Sequence, residues 1–310
     1  MKLIIQIPCS NEEHTLPITV KDLPKKIGGI DEIEILVIND GSEDRTVEVA
    51  RSLGIKNILS FPKRRGLAHA FKAGLDKATE LGADIIVNTD GDNQYSGEDV
   101  KFLIEPIIKN RAQIVVGCRN ISEIKHFSFT KKMLQYIGSH FVRKFSRTAV
   151  RDVTSGFRAY SRDAALRINI FSDYTYTLES LIQAGRNNIP IECVDIRTNP
   201  KLRESRLIKS IFKYIMRSVA TVLRIYLMYE PLKSFFTIGF ISILSGAILM
   251  GRFMIAHITR PAGGGHIQSM IIAAIFILAG FGAIMMGFLG DLISANRKVN
   301  EEILYRLKKK

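Results

Sequence analysis

Ile85-Ile86-Val87-Asn88-Thr89-Asp90-Gly91-Asp92-Asn93-Gln94 is the stretch whose reading decides the fold. An apolar, β-branched run ends in two carboxylates separated by one glycine, with an amide two positions on. A continuous hydrophobic run of this length, after a helical pattern, reads as a buried parallel strand. Ligands of open α/β sheets bind beyond the carboxyl ends of such strands, where Asp90 and Asp92 fall. Two oxygen donors at i and i+2 suit a hard divalent cation, Mg2+ or Mn2+, which also takes phosphate oxygens from a substrate. An isolated Asp-x-Asp reads more readily as a solvated Asp-Gly turn. The neighbouring elements decide between the two.

On the N-terminal side, Lys2–Ile7 is an apolar strand ending at Pro8, followed by the loop Cys9-Ser10-Asn11-Glu12-Glu13. Ile33–Asn39 is a second strand, ending in Asp40-Gly41-Ser42, and Arg45–Leu53 is an amphipathic helix. Ile58–Phe61 is a short strand, Arg64-Arg65-Gly66 a loop, and Leu67–Leu81 a helix with apolar residues at helical spacing. On the other side a helix runs from about Glu98 to Asn110, and the strand Ile114–Gly117 leads to Arg119. Strands alternating with helices predict βαβ units in a mainly parallel sheet. Asn11, Glu12, Asp40, Asp90, Asp92 and Arg119 all follow strand ends, so they converge on one sheet edge.

Beyond Arg119 the pattern is less regular. Phe127–Phe145 reads as a basic amphipathic helix carrying Lys131 and Lys132, and Asp152–Arg158 as a polar loop entering a strand. Thr177–Ala184 is a helix containing Glu179, Ile191–Ile196 a strand and Lys201–Arg206 a basic loop. Ile208–Leu227 alternates bulky apolar residues with Lys209, Lys213, Arg217 and Arg224, the pattern of a helix in a membrane interface. Leu232–Ala256 holds one internal charge, Arg252, with Lys233 at its start, and Ser269–Gly290 holds none. Each reaches the roughly 20 residues that cross a bilayer core, and neither has a polar stripe.

Charge supplies the orientation. The chain has 310 residues and a formal charge of +14. From Lys201 onward 16 Lys/Arg face 5 Asp/Glu, against 28 and 25 in the first 200 residues. Basic residues crowd the outer flanks of the two apolar stretches, and only Arg260 lies between them. The positive-inside rule then places the N-terminal domain and both termini in the cytoplasm of an integral cell-membrane protein. Membrane-surface binding accounts for the basic excess, and no nucleic-acid partner is expected, for no zinc-finger spacing, basic zipper or RNA-reading aromatic motif is present. Cys9, Cys118 and Cys193 form no C-x-x-C pair and read as reduced, buried thiols. The N-terminus reads as a strand, not a signal peptide. The organisation expected is an α/β domain over 1–207, a juxtamembrane helix over 208–230, two transmembrane helices within 231–293 (about 232–256 and 269–290), and a basic tail over 294–310.

An acidic pair at a strand end, with amides and carboxylates nearby, is what a nucleotide diphosphate needs. Arg119, Arg158, Arg203 and Arg206 are candidates to clamp a second phosphate by bidentate contacts. No G-x-G-x-x-G follows the first strand, against a dinucleotide-binding oxidoreductase.

Ile7-Pro8-Cys9-Ser10-Asn11-Glu12-Glu13 resembles a V-P-x-x-N-E motif and Ile38-Asn39-Asp40-Gly41-Ser42 a D-D-G-S segment. Arg65-Gly66-Leu67-Ala68 with Lys72-Ala73-Gly74 looks like an R-G-x-x-x-A-x-x-x-G helix entry. Asp90-Gly91-Asp92-Asn93-Gln94 resembles D-A-D-x-Q, Gly117-Cys118-Arg119 resembles G-S-R, and Thr154-Ser155-Gly156-Phe157-Arg158 matches T-S-G-F-R. In this order the motifs resemble the family 2 glycosyltransferases of the GT-A fold, in the dolichol-phosphate mannose synthase and polyprenyl-phosphate hexose transferase branch. The chain departs from them at Asn93 and at Tyr95-Ser96, where His-Pro is common. It has no Trp, hence no Q-x-x-R-W motif of the processive polysaccharide synthases.

The resemblance implies a Rossmann-like GT-A catalytic domain followed by the interfacial helix and the transmembrane hairpin. It implies that Pro8, Asn11, Glu12, Asp40 and Gly66 hold the donor nucleotide with Asp90, and that Arg203 closes over the donor diphosphate. Asp90, Asp92 and Gln94 would bind the divalent cation. Arg119, Lys131, Lys132 and Ser155 would receive the lipid phosphate, with Asp92 and Arg119 as the catalytic pair. The activity implied is inverting transfer of a hexose or N-acetylhexosamine from GDP-mannose or a UDP-sugar to a polyprenyl phosphate. Its rivals are a transferase with another lipid or membrane-protein acceptor, and a non-catalytic nucleotide-sugar-binding membrane module. Association into a homo-oligomer is left open.

Overall fold

The computed structural model describes residues 1–119, 150–171, 176–200, 220, 223–224, 226–259 and 267–309. The expected helix Phe127–Phe145 with Lys131 and Lys132 lies outside the described residues, as do Arg203, Arg206 and most of Ile208–Leu227. Met1–Val222 with Tyr305–Lys310 makes one compact unit, and Leu223–Leu304 the other.

In the first unit, β1 (Lys2–Cys9), β2 (Glu32–Asn39), β3 (Asn57–Ser60), β4 (Ile85–Asn88), β5 (Ile114–Arg119), β6 (Arg158–Ser161) and β7 (Ile191–Ile196) form one sheet. Its order is β3-β2-β1-β4-β6-β5-β7. β1 pairs parallel with β2 and β4, β2 with β3, and β5 with β7. Only β6 among these strands runs antiparallel, wedged between β4 and β5. The α/β sheet is mixed but mostly parallel.

Both sheet faces are covered, which is why β1 and β4 read as unbroken apolar runs rather than alternating ones. On one face Leu3, Ile5 and Ile7 cluster with Ile85 and Val87, under Leu16 of α1 (Leu16–Asp22) and Val100, Leu103 and Ile104 of α4 (Val100–Ile108). The other face carries Gln6 and Ile38 beneath α3 (Leu67–Glu80). α3 lies so close that a Cβ at Gly74 would come within 2.3 Å of Gln6 Oε1. Helices α2 (Thr46–Ser52), α5 (Arg162–Arg167) and α6 (Tyr176–Arg186) complete the unit. Its last residues join it too: the Tyr305 hydroxyl donates to Asp163, Arg167 stacks 3.9 Å over the Tyr305 ring, and Lys308 pairs with Asp76 at 2.8 Å.

The second unit contains α7 (Pro231–Thr259) and most of α8, a helix that runs unbroken over Ile267–Lys309 and so carries the expected basic tail as helix. Both contain stretches long and apolar enough to cross a membrane, with mean hydropathy 1.9 and 2.5 over an 18-residue window of each. Glycine sets their approach: a Cβ at Gly239 would lie 2.6 Å from Gly280 O, and one at Gly246 would lie 2.8 Å from Ala273 O. Small residues permit close backbone contact of this kind in lipid. The Ser242 hydroxyl donates to Phe276 O at 2.8 Å, a polar contact made by the crossing itself. Gly251 and Gly282 have open space where a Cβ would be. They take no part in the crossing.

Candidate active site

The loops that leave β1, β2 and β4 are sewn to one another by hydrogen bonds. Asn11 takes a left-handed conformation, φ 58°, that Asn tolerates better than most residues. Its N–H donates to Ser42 Oγ at 3.0 Å and its Oδ1 accepts from Glu43 N–H at 2.8 Å. Glu12 is buried; its N–H donates to Thr46 Oγ1 at 2.9 Å and its carboxylate accepts from the Thr15 hydroxyl at 2.6 Å. Asp40, also buried, accepts from Arg65 N–H at 2.6 Å and Gly66 N–H at 2.9 Å. It thereby fixes the entry to α3, where Gly66 has φ 97°. Both Asp40 oxygens thus hold the loop that was expected to embrace the donor.

The Asp90-Gly91-Asp92 loop seats directly on this construction. A Cβ at Gly91 would lie 3.3 Å from both Cys9 Sγ and Glu12 Cγ, and 3.4 Å from Pro8 O. The Thr19 hydroxyl donates to Gly91 O at 3.2 Å, and Gln94 N–H donates to Asp92 Oδ1 at 3.2 Å. Pro8, Glu12, Asp90 and Asp92 are therefore brought together as the sequence reading required. Asn93, at φ 56°, is buried with its Oδ1 unpartnered.

From β5, Arg119 reaches Asp152: Nε to Oδ2 at 2.7 Å and Nη2 to Oδ1 at 3.1 Å, with Nη2 also donating to Thr154 Oγ1 at 3.0 Å. The pair is largely shielded, with side chains 8% and 1% exposed. Burial alone would raise the Asp152 carboxyl, yet the Arg119 charge and hydrogen bonds hold it below the usual carboxylate range. Sequence reasoning missed the partner of Arg119; an acid opening the Asp152–Arg158 loop was the available signal.

Asp90 is pushed the other way. Burial, then the charge of Asp92, raise it to about 7 against the lowering influence of Arg119 and Tyr95. Two like charges held together in a shielded loop are relieved by a cation. Asp90, Asp92 and the Gln94 amide are oxygen donors of the right kind for a hard one. Among the described residues no group of three or more His, Cys, Asp or Glu could hold an ion unaided. Such a donor set fits a cation that completes its shell with substrate phosphate and water.

The Ser155–Arg158 loop closes the far side. A Cβ at Gly156 would lie 3.1 and 3.2 Å from the two Asp90 oxygens and 2.9 Å from Tyr176 Oη. Ser155 is fully buried with its hydroxyl unpartnered. Arg158, a candidate phosphate clamp from the sequence, is corrected here. It is wholly buried, and its guanidinium donates to the carbonyls of Val153, Ser155 and Thr177 and to Ser180 Oγ. It builds the loop from within. Beneath Gly156 runs a chain of amides that sequence reasoning missed: Gln6 Nε2 to Asn88 Oδ1 at 2.8 Å, and Asn88 Nδ2 to Gly156 O at 2.8 Å and Tyr176 Oη at 3.1 Å. Two amides on one face of otherwise apolar strands were the signal.

Residues 4–168 match the family described as Glycosyl transferase family 2. Over 216 residues the chain is 30% identical to the UDP-N-acetylglucosamine–dolichyl-phosphate N-acetylglucosaminyltransferase of Methanococcus voltae, covering 62% of this chain and 83% of that one. Over their full lengths, 100% of each, it is 26% identical to the prophage bactoprenol glucosyl transferase homolog of Escherichia coli K12. Among solved structures, glucosyl-3-phosphoglycerate synthase from Mycobacterium tuberculosis, in complex with Mn2+, UDP and glucosyl-3-phosphoglycerate, superposes with a TM-score of 0.57 at 18% identity. That likeness covers 73% of this chain and 78% of the other, and shows the fold.

Proposed function

The chain belongs to glycosyl transferase family 2, and from that membership we propose that it transfers a hexose or N-acetylhexosamine from a nucleotide-diphosphate sugar to a polyprenyl phosphate. The reaction proposed is inverting and depends on a divalent cation. One observation carries the acceptor. The relative matched over the whole chain, hairpin included, is named for a bactoprenol acceptor, and this chain has two helices that could span a membrane. In this reading the catalytic unit and both chain ends face the cytoplasm, where the basic flanks meet the bilayer surface.

Each residue has a task. Pro8, Asn11, Glu12, Asp40 and Gly66 shape the nucleotide side, Asp40 through its grip on the Arg65–Gly66 backbone. Asp90, Asp92 and Gln94 would hold the cation, which when bound neutralises the diphosphate and eases its departure. Asp152 orients Arg119 toward the acceptor phosphate, with Lys131, Lys132 and Ser155 as further contacts and Arg203 reaching the donor diphosphate. An acceptor phosphate oxygen attacks the anomeric carbon, the bond to the nucleotide diphosphate breaks, and the configuration inverts. With a second pKa of about 6 the acceptor phosphate is largely a dianion at neutral pH. It needs no general base. Glu179 accepts from Phe171 N–H at 3.1 Å, a structural duty consistent with that.

A transfer assay tests the reading: detergent-solubilised protein, polyprenyl phosphate, and UDP- and GDP-sugars, with and without Mn2+ or Mg2+. Cation-dependent lipid-linked sugar from one donor is expected. Nucleotide binding without transfer from any donor would overturn the acceptor assignment.

A further inference from the structure

Tyr95 follows the cation loop directly. It is buried, and its ring stacks on Phe157 with centroids 5.1 Å apart and planes 9° from parallel. Its main chain is pinned as well. Tyr95 bridges Thr198 in antiparallel fashion, and its carbonyl accepts from Asn199 Nδ2 at 3.3 Å. The hydroxyl therefore has little freedom to wander.

That hydroxyl has two neighbours. The Gly156 N–H donates to the phenol oxygen at 3.1 Å, which occupies it as an acceptor. One proton remains for donation, because a phenol both gives and accepts. The carboxylate beside Gly156 is that of Asp90, whose two oxygens lie 3.1 and 3.2 Å from where a Gly156 Cβ would sit. Gly156 itself is held from behind by Asn88 at 2.8 Å. Tyr95, Gly156 and Asn88 thus make a frame, with Asp90 its one member on the strand-end loop.

We propose that Tyr95 is a positioning residue: its hydroxyl, fixed by the Gly156 N–H, holds the Asp90 carboxylate in the orientation that receives the divalent cation. Carboxylates that ligate a metal are themselves held by hydrogen bonds, and losing such a partner weakens metal affinity. The inference rests on the reading of Asp90 and Asp92 as the cation site. A purely structural Tyr95 would act through the Phe157 stack, which the hydroxyl does not share.

The two roles separate with Tyr95→Phe, which keeps the ring, and Phe157→Leu, which removes the stack and keeps the hydroxyl. Mn2+ is titrated into the full-length protein in detergent with UDP and, separately, with GDP, and free Mn2+ is read by electron paramagnetic resonance. Tyr95→Phe is expected to raise the Mn2+ dissociation constant about tenfold, the scale of a lost second-sphere contact, with Phe157→Leu changing it far less. Equal losses in both variants, or an unchanged constant in Tyr95→Phe, overturn the positioning role while leaving the cation site intact, provided that Asp90→Asn abolishes binding. Absence of Mn2+ binding in the unsubstituted protein with either nucleotide overturns the site reading and this inference together.

Discussion

The strand-end edge of the catalytic unit and the α7–α8 hairpin both depend on glycines where other atoms come close, yet they use that closeness differently. At the edge, Gly91 and Gly156 let polar groups approach: Glu12 lies against the first, Asp90 and Tyr176 against the second. In the hairpin, Gly239 and Gly280 let two backbones approach, and what meets them is carbonyl and aliphatic carbon. The edge therefore specifies chemistry atom by atom, whereas the hairpin specifies volume. Isosteric exchanges that alter charge should damage the first region, and added methyl groups should damage the second.

The largest effect expected is at Asp152. Removing it in Asp152→Ala leaves the Arg119 guanidinium buried without its partner, which costs about 3–5 kcal/mol. The pH dependence follows from the direction of the shift. Asp152 is held below the ordinary carboxylate pKa, so its contribution is complete above about pH 3.9 and is lost as pH falls through the depressed value. Melting temperatures of the full-length protein between pH 3 and 7 should show an acid fall at that step, and the variant should lack it. A variant as stable as the parent at neutral pH would break the claim that the edge is specified by charge.

Asp92→Asn comes next and changes almost no volume. If Asp92 holds the cation at the leaving diphosphate, kcat/KM should drop about a hundredfold with the melting temperature unchanged. In the hairpin, Gly239→Leu should have the reverse signature. A side chain there meets Gly280 O at 2.6 Å and Ile284 Cγ1 at 2.7 Å. Overpacking of this kind costs about 1–3 kcal/mol, read as a lower melting temperature in detergent with Mn2+ and nucleotide binding intact. Loss of nucleotide binding in Gly239→Leu would show that the two regions are not specified independently.

Much of the edge was legible because strands buried on both faces leave unbroken apolar runs, and each run leads into a polar residue of the edge: Asn11, Asp40, Asp90, Arg119. A strand beginning at Arg158 was expected, but its antiparallel place between β4 and β5 was not legible. Its partners Asn88 and Val116 are 70 and 42 residues from Arg158 in sequence, and nothing local records a strand's neighbours. Arg119 and Arg158 looked alike as candidate clamps; only folding decides that one meets Asp152 and the other a ring of carbonyls. Tyr95 registered merely as a departure from a common residue, since a hydrogen bond to Gly156 spans 61 residues.

The hairpin glycines were legible in a way that counting them concealed. Gly239 and Gly246 are seven apart, as are Ala273, Gly280 and Gly287, and residues seven apart return to the same helix face. Gly251 and Gly282 break that spacing, and both are found in open space. The smallest predicted effect turns on this. Gly282→Ala adds a methyl where no heavy atom lies within 4 Å, and alanine favours helix by up to about 1 kcal/mol over glycine. It should leave the melting temperature level or raise it slightly. Gly280→Ala, two residues earlier, adds the same methyl 2.7 Å from Gly239 O and should lower it. Opposite signs for one substitution at neighbouring positions would place the specificity of the hairpin in helix face and volume; equal effects would leave only its composition.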